Sequence, residues 1–121
     1  MNYKTALNLH ATIFQLQKRP LPAEKVAYAL RKNLVALNKI YSDFEIARTQ
    51  LCVKHGGVVS EDGTKYEIPE DNQVALDTEF KELEAVEVEV EIHKIRLADF
   101  GNSEITAEEL GSLEAYGALI V

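Results

Sequence analysis

Between Val26 and Leu51 the chain steps by four and three between core-type positions: Val26, Leu30, Asn33, Leu37, Ile40, Phe44, Ala47 and Leu51. Such spacing keeps one stripe on one side of an α-helix, so the segment reads as a single helix with a continuous seam, polar only at Asn33. It should run to Lys54 or His55, roughly 50 Å of rod at about 1.5 Å per residue. Gly56-Gly57 then supplies a left-handed C-terminal cap. Upstream, Ala6, Leu9, Ile13 and Leu16 repeat the spacing, with Leu7 and Phe14 widening the stripe, and predict a first helix over residues 4–18. Lys18-Arg19 fall in its last turn, where cations suit the negative helix end. Pro20-Leu21-Pro22 stops it, and Pro22 suits the first turn of the long helix. So short a turn makes the two helices antiparallel neighbours. The first is about half as long as the second, so another element must cover the Phe44 to Leu51 end of the seam.

Val58-Val59, Glu61-Asp62-Gly63-Thr64 and Tyr66-Glu67-Ile68 read as a β-hairpin, with Asp-Gly giving the positive backbone angles of a tight turn. Pro69 closes it. Asp71 or Asn72 can cap a third helix carrying Leu76, Phe80 and Leu83. From Val86 the period becomes two: Val86, Val88, Val90 and Ile92 face one way, and Glu87, Glu89, Glu91 and His93 the other. This pattern predicts the clearest strand in the chain, with one face buried and one wet. Thr106-Ala107-Glu108-Glu109 has the form of a capping box and opens a short helix through Leu110 and Leu113, weakened by Gly111 and Gly117. An apolar tail follows, Ala118-Leu119-Ile120-Val121. The expected fold is α+β, one domain over 1–121. It is an antiparallel helical hairpin with one long helix, a third helix and a small antiparallel β-sheet at its far end.

The 121 residues suffice to bury a core without disulfides or metals. A net charge of −7 argues against direct nucleic-acid binding, which needs a basic face to displace counterions. The charge is also asymmetric: residues 1–56 hold most of the Lys and Arg, and acidic groups concentrate from Glu61 onward. Cys52 is the only cysteine, which excludes an intrachain disulfide and suits a reducing compartment. No apolar run approaches the roughly 18 residues of a membrane span, and the N-terminus has no apolar signal core. A soluble cytoplasmic product that does not touch the membrane is expected.

Candidate chemistry is sparse. His10, His55 and His93 are far apart and form no spaced ligand pair. His93 ends the Glu87, Glu89, Glu91 row, but side chains two apart on a strand stand roughly 7 Å apart in a line rather than converging on a metal. That row reads first as a solvated face that discourages aggregation, and second as an acidic track for a basic partner. Lys54 and His55 near Cys52 could lower its pKa, yet its place beside the seam suits a buried structural cysteine. No phosphate-cradling glycine loop and no Gly-x-Ser-x-Gly elbow occurs, so no cofactor and no enzymatic activity are expected. Asn33 has two readings: a polar core residue setting register in a coiled coil, or a partner for the turn near Pro20 or for the first helix.

One resemblance spans nearly the whole chain. Leu21-Pro22, Val26-Ala27-Tyr28, Lys32-Asn33, Glu45 and Arg48, then Asp62-Gly63, follow in order. Phe80, Glu82 and Leu83 precede the run from Val86 to Ile95, and Ile105-Thr106, Leu110 and Leu113 finish the set. The ordered pieces resemble a family of small tailed-bacteriophage and prophage proteins, a domain of unknown function; Ala118 to Val121 run past the family pattern. The resemblance implies a non-enzymatic accessory or assembly role through protein–protein contacts with a phage-encoded partner, in the host cytoplasm or on the virion. Asn33, Phe44, Leu51, Glu87, Glu89 and Glu91 are the candidate interaction residues, with a second copy of the chain a candidate cover for exposed seam. The alternative is an acidic inhibitor of a host nucleic-acid-binding or defence protein, acting through the glutamate row.

Overall fold

The computed structural model describes residues 1–20, 24–101 and 104–121; Leu21 and Pro22, and with them the proline turn expected to open the long helix, lie outside those residues. Two helices dominate. α1 spans Tyr3–Leu16 and α2 spans Glu24–Lys54. Asn2 caps α1, its side-chain oxygen accepting from the Thr5 N–H at 2.9 Å. α1 ends two residues earlier than its spacing suggests, because Lys18 and Arg19 turn to other work: Lys18 Nζ lies 4.5 Å from the centre of the Phe14 ring, and Arg19 reaches residues near the end of the chain. Ala6, Leu9, Ile13 and Leu16 are all buried against α2, so the apolar stripe determines the packing.

The α2 seam is buried from Val26 to Phe44, with Asn33 fully enclosed. Tyr3 covers Phe44, the two rings lying 5.4 Å apart and tilted. Beyond it the burial changes although the direction does not: at about 100° per residue Leu51 points the same way as the enclosed Asn33. By the last turns Ala47 and Leu51 are only half-buried, and Cys52, off the seam, is buried instead. The neighbour there is α3, Gln73–Glu84, which contributes the buried Leu76.

α2 ends in a left-handed cap. Gly56 has φ +77°, the Gly57 N–H donates to Cys52 O at 2.8 Å, and the Gly56 N–H donates to Val53 O at 3.0 Å. The hairpin follows, β1 (Val58–Val59) pairing antiparallel with β2 (Tyr66–Glu67). Its connection covers residues 60–65, slightly wider than the Glu61-Asp62-Gly63-Thr64 turn expected. Only Gly63 adopts positive φ, and Asp62 uses its carboxylate instead, accepting from Ser60 Oγ, Thr64 N and Thr64 Oγ1. These bonds, led by those from the Ser60 and Thr64 side chains, hold the Asp62 pKa down to about 2. A depressed pKa means the loop's contribution to stability is complete above the ordinary aspartate value and declines as pH falls through about 2. A carboxyl-carbon NMR titration should therefore place the Asp62 midpoint near 2, clearly below the ordinary aspartate value; a midpoint near 4 would show the loop open. Asn72 does not cap α3 with its side chain. A single 3₁₀ turn, Glu70–Asn72, leads into that helix, and Asn72 Nδ2 donates back to His55 O at 2.8 Å, satisfying a carbonyl at the end of α2.

The strand expected from Val86 to His93 is not a strand. The segment is extended but has no continuous ladder: one bridge joins Asn2 to Glu87, and regular pairing begins only at β3, Ile95–Arg96. β3 pairs in parallel with β4, Leu119–Ile120, so the apolar tail joins the fold as a second two-stranded unit. α4, Ala107–Ala115, lies between these strands in sequence and opens with the complete capping box of Thr106 and Glu109. Gly117 lies outside α4 and ends it, with φ +79° and the Ala118 N–H donating to Leu113 O at 2.8 Å. Arg19 donates to Glu109 Oε1 and Glu104 O, tying the end of α1 to the start of α4. Burial pushes the Glu109 pKa up, but the Thr106 and Arg19 hydrogen bonds outweigh it and the net shift is downward.

Candidate functional site

The extended run from Val86 to Lys94 brings together three of the six residues singled out from the sequence, and a fourth holds it in place. Val88, Val90 and Ile92 pack on the helical core, while Glu87, Glu89, Glu91 and His93 stand exposed, so the period of two sorted the faces from Glu87 onward; Val86, expected on the buried side, is exposed. Two ends of the run are anchored. At the first, the Tyr3 N–H donates to Val86 O at 3.0 Å and the Val88 N–H donates to Met1 O at 2.8 Å. At the second, Asn33 acts as a strand substitute: its Nδ2 donates to His93 O at 2.9 Å, and its Oδ1 accepts the His93 N–H at 2.7 Å. One carboxamide thus makes the donor–acceptor pair that a neighbouring strand would provide. This corrects both readings of Asn33. Its partner is the backbone of His93, not the turn near Pro20, the first helix or another coiled-coil strand.

Between the anchors, the backbone of Glu89 to Ile92 makes no hydrogen bond with the described residues. Glu87 meets the Met1 amino group at 3.4 Å, whereas Glu89 and Glu91 have no ion-pair partner among them. A groove of about 620 Å³ runs beside the open run, lined among others by Tyr3, Val35, Lys39, Asp43, Glu89 and Glu91. Open main-chain donors and acceptors, apolar residues below and carboxylates above are the elements that recognise an added extended segment. The pinning by Met1, Tyr3 and Asn33 is not legible from spacing alone, since it joins residues 60 and more positions apart.

No protein-family model matches the chain, and neither a curated protein nor a solved structure matches it.

The remaining candidates lie elsewhere. Phe44 is buried under Tyr3 and contributes to the core, while Leu51 borders a shallow groove of about 480 Å³ with Ala47, Glu79, Glu82 and Leu83. At the end of α2, Lys54 Nζ lies 2.7 Å from Glu79 Oε1 and His55 Nε2 lies 2.8 Å from Glu79 Oε2. The hydrogen bonds from Lys54 and His55 lower the Glu79 pKa, a clamp joining α2 to α3. His10 stacks between Phe14 and Tyr41, with ring centres 6.2 and 5.0 Å away, and its Nε2 lies 2.7 Å from Asn38 Oδ1. The three histidines are thus dispersed: His10 between α1 and α2, His55 between α2 and α3, and His93 on the exposed run. Among the described residues, no three His, Cys, Asp or Glu side chains gather as they would to hold a metal ion, and no helix is long and apolar enough to cross a membrane.

Proposed function

We propose that this protein is a non-enzymatic accessory or assembly protein that works by binding another protein, in the phage or prophage setting its sequence resembles. What supports this reading is the Glu89 to Ile92 run, held extended at both ends yet unpaired along its own backbone. A partner segment that is extended and basic satisfies both the open main chain and the unpartnered Glu89 and Glu91. The second reading, an acidic inhibitor of a host nucleic-acid-binding or defence protein, is favoured by the same carboxylates, because a row of exposed acids competes for a surface built for phosphates.

Both readings are tested by amide hydrogen exchange and titration against the products of neighbouring genes and against basic host proteins. Glu89 to Ile92 amides should exchange fast in the free protein and become protected on binding. Reversing Glu87, Glu89 and Glu91 to Lys should weaken an inhibitory interaction by about a hundredfold or more, and an assembly interaction led by the backbone by about tenfold or less. A bound complex that leaves these amides unprotected would place the interface elsewhere and remove the support for both.

A further inference from the structure

The seam of α2 faces inward, but the opposite side of the same helix is not uniformly polar. Tyr28, Val35, Ile46 and Val53 are 62%, 56%, 60% and 59% exposed. On a helix turning about 100° per residue, these four project within about 20° of one another and extend over nearly 40 Å. They form a narrow apolar line along the outer face of the longest element, interrupted by Lys32, Lys39 and Ser42.

The order of these residues is the informative part. The intervals are seven, eleven and seven residues, so the line reads the same in both directions. An antiparallel two-fold pair that matches apolar residues along its whole length requires such an order: if one residue meets a second on the other copy, the second must meet the first. With two α2 helices antiparallel, Tyr28 faces Val53 of the second copy and Val35 faces its Ile46, so every apolar side chain on the line meets another. The charges agree with this register. Lys39 and Asp43 lie on the same flank near the midpoint, and neither has an ion-pair partner among the described residues. In the antiparallel pair, Lys39 of one copy comes beside Asp43 of the other, twice over.

We infer that the protein self-associates as a two-fold dimer through the outer face of α2, with a second copy of this chain as the occupant. The line borders the groove beside Glu89 to Ile92 through Val35, Lys39 and Asp43, while Tyr28, Ile46 and Val53 lie outside that groove, so self-association is read by mass and partner binding by protection of the Glu89 to Ile92 amides. Four side chains per helix make a smaller apolar contact than a standard interface, which points to a dissociation constant on the order of 10 µM.

Sedimentation equilibrium of the full chain should show its mass doubling as concentration rises through that range. Val35→Glu with Ile46→Glu should leave a folded monomer, with at least a tenfold loss of association and an unchanged circular-dichroism spectrum. A monomer at about 100 µM, or a double variant that associates as the parent does, overturns the inference. The register is tested separately in a Cys52→Ala background. Mixed Tyr28→Cys and Val53→Cys proteins should form a cross-linked heterodimer under mild oxidation, and neither should cross-link efficiently alone. Preferential cross-linking of Tyr28→Cys to itself would mean a parallel pair and would overturn the antiparallel interface.

Discussion

Replacing Asn33 with Leu should lower stability by about 2–3 kcal/mol, a fall in Tm on the order of 10 °C, although Leu is the residue its position in the seam would suggest. Leu fits the spacing but strands two backbone groups. Asn33 is fully enclosed, and its amide satisfies both the N–H and the C=O of His93. Losing it leaves those groups partly buried without a partner and releases one end of the extended run. The damage should be local as well as global: exchange at Glu89 to Lys94 amides should rise more than that of the α1 and α2 core. Asn33→Asp should be worse at neutral than at mildly acidic pH. A carboxylate enclosed at that site is desolvated, its folded-state pKa rises above the unfolded value, and stability therefore recovers as pH falls through the raised pKa. If Asn33→Leu proves neutral or stabilising in thermal unfolding, the bidentate bond to His93 is not what anchors the run.

The second large effect is expected at Gly57. A Cβ there would lie 2.6 Å from Cys52 O and 2.8 Å from Ile68 Cδ1. The carbonyl belongs to the backbone of α2 and accepts the Gly57 N–H itself, so relief requires either losing that capping bond or moving the hairpin away from the helix end. Gly57→Ala should cost about 2–3 kcal/mol in denaturant unfolding, more than the usual penalty of roughly 1 kcal/mol for losing glycine at a helix C-terminus. Because β1 begins at the next residue, the variant should also loosen the Val58–Val59 pairing with Tyr66–Glu67, seen as faster exchange of those amides. A loss below about 0.5 kcal/mol would mean that the hairpin is free to shift and that the tight contact does not constrain it.

Both cases separate two kinds of information. The spacing of Ala6, Leu9, Ile13 and Leu16, and of Val26 through Phe44, identified two helices and their buried sides, because a helix buries residues by local geometry that repeats every few positions. The capping box at Thr106 and Glu109 and the left-handed turn at Gly56 were legible for the same reason, their partners being within a few residues. Alternation from Glu87 to Ile92 likewise sorted exposed Glu from packed Val and Ile, while Val86 at its start is exposed. It could not show that no strand lies alongside, because a ladder depends on a partner that the alternating segment does not encode.

What the sequence determined by itself is the helical hairpin, the acidic outer row and the inward side of each helix, all set by short-range periodicity. Tertiary structure alone decided the partner of Asn33, the cover over Phe44 and the shift of burial from Leu51 to Cys52. The same holds for the union of the C-terminal tail with Ile95–Arg96. Each of these depends on groups distant in the chain. A pattern of neighbours records which face is apolar; only the assembled fold shows which backbone groups find partners and which stay open.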